Sequence, residues 1–248
     1  YSNNVKFMIK LKDKKDCCGC TACVSVCGHK AITMQPNNLG FLNPVVDLSK
    51  CVDCGLCEKA CDFNDRYNTS YNLTRPESYA VRHKDLHEVE TSRSGAIFSA
   101  IRDWVISQGG AVYGVGYTGH FHVVHKRATS IDECKEFKGS KYVQSDLGDT
   151  FKRVKDDLRS GITVLFSGTP CQTSGLRSNR STLRVDMSNL YLVDIICHGV
   201  PGPKVWQDYL AYAEKKYDGK VTAVDFRDKL KFGWAGHSES LLIGDKSV

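Results

Sequence analysis

Long apolar runs are missing from this 248-residue chain: nowhere do 18 apolar residues follow one another, so no segment reads as a membrane span. The opening YSNNVKFMIKLKDKK lacks the positive-then-apolar order of a secretory signal, and a cytoplasmic location is expected. A strong charge of one sign is missing as well. With 34 Lys+Arg against 28 Asp+Glu the formal charge is +6, too little for a basic nucleic-acid binder, and no nucleic-acid partner is expected. The biased composition of disordered or collagen-like chains is also missing; 41% hydrophobic and 25% charged residues describe a globular protein able to bury a core. The chain starts at Tyr1 and stops in SLLIGDKSV without a helix-ending or turn signal, and reads as a piece truncated at its C-terminus.

Cysteine is what the chain has in excess. Of its twelve cysteines, nine fall between Cys17 and Cys61, leaving Cys134, Cys171 and Cys197 in the remainder. A disulfide framework suits a small secreted domain, whereas a reducing compartment keeps thiols free for metals or catalysis. The spacing Cys17-x2-Cys20-x2-Cys23-x3-Cys27 recurs 34 residues later as Cys51-x2-Cys54-x2-Cys57-x3-Cys61. Zinc prefers two separated pairs around one tetrahedral ion. Three cysteines at x2 spacing instead wrap three corners of a cube, and in two-cluster proteins the fourth cysteine of each run serves the other cluster. Cluster one is therefore assigned Cys17, Cys20, Cys23 and Cys61, and cluster two Cys51, Cys54, Cys57 and Cys27. Cys18, lying between ligands, reads as a small packed thiol.

Residues 17–61 resemble a bacterial-type two-cluster 4Fe-4S ferredoxin, down to Ala31-Ile32 after the first run, although Gly28 and Asp62 stand where that family usually places proline. Between the runs, ITMQPNNLGFLNPVVDLS predicts two short strands joined by a turn. Residues 1–62 are read as the cluster domain, 63–76 as a polar linker, and 77–248 as a second domain. In the latter, SYAVRH predicts a strand and SRSGAIFSAIRDWVISQGG a helix, with Ile97, Ile101, Trp104 and Val105 at helical spacing, Ser92 or Ser94 as its cap and Gly109 as its stop. Ser92, Arg93, Ser94 and Gly95 offer hydroxyls, backbone N–H groups and a guanidinium to an anion at a helix start.

AVYGVGYTG contains a Gly-x-Gly-x-x-Gly pattern, but the following GHFHVVHKRAT continues as a strand, so a hairpin is predicted in place of a dinucleotide fingerprint. His120 and His122 share one strand face and His125 the other, which argues against a three-histidine metal site and leaves exposed strand histidines. A helix is expected over 149–159. GITVLFSGTPCQTSGL and NLYLVDIICHGVPGPKVWQDYLAYAEKKY each predict strand, turn and helix, and together a right-handed parallel crossover. Cys171 and Cys197 then lie at carboxyl ends of parallel strands, the ligand edge of open α/β sheets. Either could act as a thiol nucleophile, with His198 as neighbouring base. Trp104 and Trp206 are expected in the core, and Cys134 on the inner face of an amphipathic stretch.

With those segments placed, the whole chain resembles the beta subunit family of coenzyme F-420 hydrogenases and dehydrogenases. The matching pieces are the cluster repeat, S-R-S-G-A-I-F, G-S-K-Y-V-Q-S, S-G-T-P-C-Q, V-D-I-I-C-H-G-V-P-G-P-K-V-W and F-R-D-K, in family order from Cys17 to Lys229. The resemblance implies an α+β protein: a two-cluster ferredoxin-like domain followed by an α/β flavin- and substrate-binding domain. It implies two 4Fe-4S clusters and FAD, with Ser92, Arg93, Ser94, Gly95, Lys141, Gly168 and Thr169 as flavin-binding candidates. Arg93 departs from a family pattern of serines and glycines. The implied activity is oxidoreduction between a two-electron substrate or coenzyme and 4Fe-4S clusters, the alternative being a flavin-free electron-transfer subunit. Implied partners are ferredoxin or a reduced coenzyme, within a homo-oligomer or larger redox complex. A further cluster could use Cys171 and Cys197 with cysteines of a longer chain. The lysines Lys6, Lys10, Lys12, Lys14 and Lys15 could dock an acidic redox protein.

Overall fold

The computed structural model describes residues 8–10, 16–63, 75–233, 236 and 238–248. Most of the expected linker and of the basic opening segment lies outside the described residues. Helix α1 (Ala22–Val26) leads into the hairpin of β1 (Ile32–Pro36) and β2 (Leu42–Val46), followed by α2 (Leu56–Lys59). This is the predicted strand, turn and strand, and the two short helices sit at matching places in the two cysteine repeats.

The second part begins with α3 (Leu86–Thr91) and α4 (Ile97–Ser107). β3 (Ala111–Thr118) and β4 (His122–Ala128) form the expected antiparallel hairpin. Then come α5 (Ile131–Cys134), a 3-10 turn (Lys135–Phe137) and α6 (Thr150–Arg159). β5 (Val164–Gly168), α7 (Pro170–Thr182) and β6 (Leu190–Asp194) make the predicted crossover, with β5 and β6 parallel. The sheet runs β4-β3-β5-β6, with β4 and β6 at its two edges. After α8 (Pro203–Tyr217), an antiparallel sheet is built from β7 (Val221–Asp225), β8 (Ser240–Ile243) and β9 (Lys246–Ser247), with α9 (Lys229–Phe232) between β7 and β8.

One apolar core crosses the junction between the two parts. Ala22, Val26 and Ala60 of the cysteine-rich part are buried in the same cluster as Phe151, Val154, Phe166 and Leu176 of the second. Helix α6 supplies Phe151, Val154 and Leu158 from one face, as its three- and four-residue spacing requires. At the border of that face, Asp157 accepts hydrogen bonds from the buried Tyr113 hydroxyl (2.6 Å) and from Arg127 (2.8 and 3.0 Å), tying α6 to β3 and β4.

Several expectations fail for identifiable reasons. Residues 78–83 form no strand; instead His83 donates to the Gly95 carbonyl, and a side chain at Gly95 would meet the Val81 carbonyl at 2.4 Å. Neither Ser92 nor Ser94 caps α4. The N-cap is Ala96 in the left-handed region, and Ser92 Oγ lies 3.5 Å from Ser99 Oγ inside the helix. The inner face of α4 includes Arg102, 2% exposed and held by Asp103 at 2.7 Å and Glu88 at 3.7 Å, while Trp104 turns outward against Tyr191. A buried ion pair took the place that periodicity assigns to tryptophan.

The three histidines part company. His120 pairs with Glu214 and His122 with Asp146, but His125 is buried, not exposed as expected. Its ring stacks on Phe166, Nε2 meets the Ser167 carbonyl at 3.1 Å, and Nδ1 meets Ser145 Oγ at 2.9 Å, which in turn accepts from Gln172. Burial lowers the His125 pKa to about 4. Because the folded value lies below the unfolded one, the unfolded chain binds the extra proton, and stability falls as pH drops from about 6.5 to about 4. The share lost is about 3 kcal/mol. Denaturant unfolding of the parent and of His125→Gln at pH 7.5 and 5 should show a steeper acid loss in the parent; equal losses would refute it.

Candidate cluster sites and the neighbouring sheet edge

The two cysteine loops are structural repeats as well as sequence repeats. Gly19 and Asp53, at matching positions, have φ of 66° and 55°, and Thr21 and Gly55, also matching, have 61° and 73°. Two left-handed residues in each loop curl the backbone inward, so that successive thiols converge. Glycine occupies a different member of the pair in each loop, which hides the shared geometry from simple alignment of glycines.

Two clefts result. One, of about 340 Å³ counted to its open mouth, is lined by Cys17, Cys18, Cys20, Cys23 and Cys61, with Ile9, Met34 and Pro44 as apolar walls. The other, of about 370 Å³, is lined by Cys27, Cys51, Cys54 and Cys57, with Met8, Ile32, Val46 and Leu56. The fourth cysteine of each run lines the other run's cleft: Cys61 that of the first run and Cys27 that of the second.

The donor chemistry fits iron–sulfur clusters. Backbone N–H groups point at sulfur: Ile9 N to Cys57 Sγ at 3.2 Å, Ala31 N to Cys27 Sγ at 3.3 Å, and Gly19 N to Cys17 Sγ at 3.4 Å. Such donors stabilise thiolate and tune cluster potential. Burial raises the pKa of Cys17, Cys23 and Cys57 and pushes Cys61 up to about 11, so these thiols need a cation to ionise. A single zinc would need its donors about 2.3 Å from one point. Among the described residues, no three His, Cys, Asp or Glu side chains meet that demand, whereas thiols spread around a cleft suit a larger cluster.

The clefts face different surroundings. Cys54 is exposed, and Val52 beside it is 57% exposed. The cleft of Cys20 abuts α7. A side chain at Gly175 would bring its Cβ to 2.8 Å from Cys20 Sγ, so glycine is what permits the approach. Asn179 donates to the Ala22 carbonyl at 3.1 Å, Gln144 donates to the Cys18 carbonyl at 2.7 Å, and Ser174 donates to Asp62. The Cys18 thiol lies within hydrogen-bonding reach of Cys20 and of Cys171. Sequence reading gave no sign of this meeting, because its partners lie on segments far apart in the chain.

At the carboxyl edge of the sheet, Gly168 ends β5 and Thr169 caps α7 through a capping box with Gln172, placing Cys171 in the first turn. Thr169 Oγ1 lies 3.1 Å from Cys171 Sγ. Cys197 follows β6 as expected, but its Sγ lies 4.0 Å from the Gly199 carbonyl, and His198 is exposed. Nothing in this turn presents an imidazole to a thiol.

The remaining candidates gather elsewhere. Arg93 donates to the Asp225 carboxylate and, at 2.9 Å, to the Phe226 carbonyl. Lys141 caps the carbonyls of Glu136 (2.5 Å), Lys138 (3.0 Å) and Gly139 (3.4 Å), with its ammonium 5.7 Å from the Tyr117 ring. Burial lowers the Lys141 pKa to about 8. Asp225, which sequence reading did not single out, is the carboxylate between these two cations. Arg93 Nε is buried with no hydrogen-bond partner among the described residues.

No curated protein matches the chain. Among solved structures, one of the F420-reducing [NiFe] hydrogenase complex from Methanosarcina barkeri, derivatised with xenon, is similar at 15% identity and a TM-score of 0.46, over 66% of this chain and 55% of that one. The chain thus spans little more than half the length of that relative. The family model for the 4Fe-4S dicluster domain matches residues 16–64. Residues 162–243 match the family model for the C terminus of the beta subunit, as found in coenzyme F420 hydrogenase/dehydrogenase. The chain thus pairs a segment similar to a 4Fe-4S dicluster domain with a later segment similar to the C terminus of the coenzyme F420 hydrogenase/dehydrogenase beta subunit.

Proposed function

We propose that the chain is an iron–sulfur flavoprotein oxidoreductase that passes electrons between a two-electron substrate or reduced coenzyme and its 4Fe-4S clusters. The observation that carries this reading is the pair of crossed cysteine clefts, one opening outward at Cys54 and the other pressed against α7. Cys17, Cys20, Cys23 and Cys61 hold the cluster beside the second domain; Cys27, Cys51, Cys54 and Cys57 hold the outer one. The clusters would supply one-electron exchange, and a flavin would supply conversion between hydride and single electrons. The chain's own work is to fix their spacing, donate N–H groups to the sulfurs and exclude solvent. The beta-subunit match over 162–243 supports membership of a larger redox complex.

FAD belongs to this reading through Arg93 and Lys141. Two half-buried cations around one carboxylate, with the buried Arg93 Nε unpartnered, suit a pyrophosphate that adds a further anion. Gly168 and Thr169, at the ligand edge of the sheet, are the remaining flavin candidates. Iron, acid-labile sulfide and flavin should be quantified on one anaerobically purified sample. About eight irons per chain with bound FAD is expected. Arg93→Ala should lower flavin occupancy at least tenfold and leave iron unchanged. Eight irons without flavin, even after reconstitution with FAD, would leave the flavin-free electron-transfer subunit, the reading favoured by the existing neutralisation of Arg93 by Asp225.

A further inference from the structure

Nine of the twelve cysteines line the two clefts, eight of them the crossed ligand sets and the ninth Cys18, and Cys134 is fully buried under α4. Cys18, on the wall of the inner cleft and also within reach of Cys20, and Cys171 fall outside both ligand sets, come from opposite sides of the junction, and lie within hydrogen-bonding reach of each other, each partly exposed. The contact is built from both sides. Gln144 holds the Cys18 carbonyl, and a side chain at Gly19 would meet that amide nitrogen at 2.8 Å. Cys171 sits in the first turn of the 13-residue helix α7, whose N-cap is fixed by the Thr169 and Gln172 capping box. Gln172 is in turn anchored through Ser145 to the buried His125. Neither thiol therefore meets the other by the chance of a long side chain in solvent.

We propose that Cys18 and Cys171 form a redox-active dithiol site that reacts with disulfides and, when oxidised, cross-links the cysteine loop of the inner cluster to α7. The chemistry is thiol–disulfide exchange. The thiolate of one cysteine attacks a sulfur of a disulfide RSSR, forming a mixed disulfide and releasing RSH; the second cysteine then displaces the other RSH. The sum is two protein thiols plus RSSR giving one protein disulfide plus two RSH, with two electrons passed from protein to RSSR and both protons carried off on the released thiols. The substrate class is a small disulfide of the glutathione type. The consequence is local: a covalent bond fastens the loop bearing Cys17 and Cys20 to α7, whose Gly175 lies against Cys20.

The proposal rests on the eight-cysteine cluster assignment, and its test reads the two separately. The full chain, purified anaerobically with its iron counted, is equilibrated with oxidised and reduced glutathione at several ratios, then alkylated and digested without reductant for mass spectrometry. In oxidising mixtures a peptide pair joined through Cys18 and Cys171 should become the predominant form, with loss of two alkylatable thiols and no loss of iron. Cys18→Ser and Cys171→Ser should each abolish the cross-link and leave a glutathione adduct on the surviving partner. Both thiols still alkylatable at the most oxidising ratio, with iron intact, would overturn the dithiol. So would a Cys171–Cys197 cross-link, or iron above the two-cluster content that is lost in Cys171→Ser, which would make Cys171 a ligand of a third cluster. Absent iron would instead strike the cluster assignment itself.

Discussion

Cys17→Ala combined with Cys61→Ala is expected to leave about half the iron, about four atoms per chain, whereas Cys17→Ala combined with Cys27→Ala is expected to leave almost none. Both double variants remove two cysteines, and both remove Cys17. They differ only in whether the second cysteine lines the same cleft, as Cys61 does, or the other, as Cys27 does. If each repeat instead held its own cluster, the outcome would reverse: Cys17 with Cys27 would spare one cluster and Cys17 with Cys61 would spoil both. Iron and sulfide analysis distinguishes these cases, and electron paramagnetic resonance of the dithionite-reduced protein gives a second readout, since two neighbouring reduced clusters couple magnetically and one does not. The crossed result also sets the order of the relay. The cleft that lacks its ligand in Cys17→Ala with Cys61→Ala is the one against α7, so the surviving cluster is the outward one at Cys54.

Much of this was legible in the sequence because the cysteine spacing is itself a geometric statement. Three thiols two residues apart can turn to one cleft only if the loop curls, and a fourth after three more residues is carried away by a short helix. The hairpins were legible too, from turn residues at Asn37, Gly40 and Gly119. What was not legible depends on pairs distant in the chain. Arg102 is buried because Glu88 and Asp103 accompany it, and periodicity counts it as a surface residue. His125 is buried because Ser145, Ser167 and Phe166 satisfy every face of its ring. Arg93 reaches Asp225 on β7, so the anion-binding reading of Ser92 to Gly95 missed the carboxylate that already faces it. Local pattern located the cysteines that line the two clefts; tertiary context chose the neighbours of the second domain.

Gly175→Val should destabilise the protein by about 1–3 kcal/mol, the range for forcing extra atoms into a packed interior, and its damage should fall on one cluster. Gly175 sits mid-helix, where its conformational freedom is a liability worth about 1 kcal/mol against alanine, so its presence needs a steric cause. That cause is Cys20: an added Cβ would lie 2.8 Å from Sγ and 3.0 Å from Cβ of that residue. The cysteine side chain is short and, once ligating, cannot swing aside, so α7 must move away from α1 or the sulfur must leave its place. The first loosens a core shared by Ala22, Val26 and Leu176; the second costs the inner cluster a ligand. Gly28→Ala is the matched control, because an added Cβ there meets nothing within 4 Å, and its effect should stay within about 0.5 kcal/mol. Denaturant unfolding paired with iron analysis reads both consequences. A Gly175→Val protein with parental stability and a full complement of iron would mean that α7 does not bear on Cys20, and electrons would then need another crossing between the two parts of the chain.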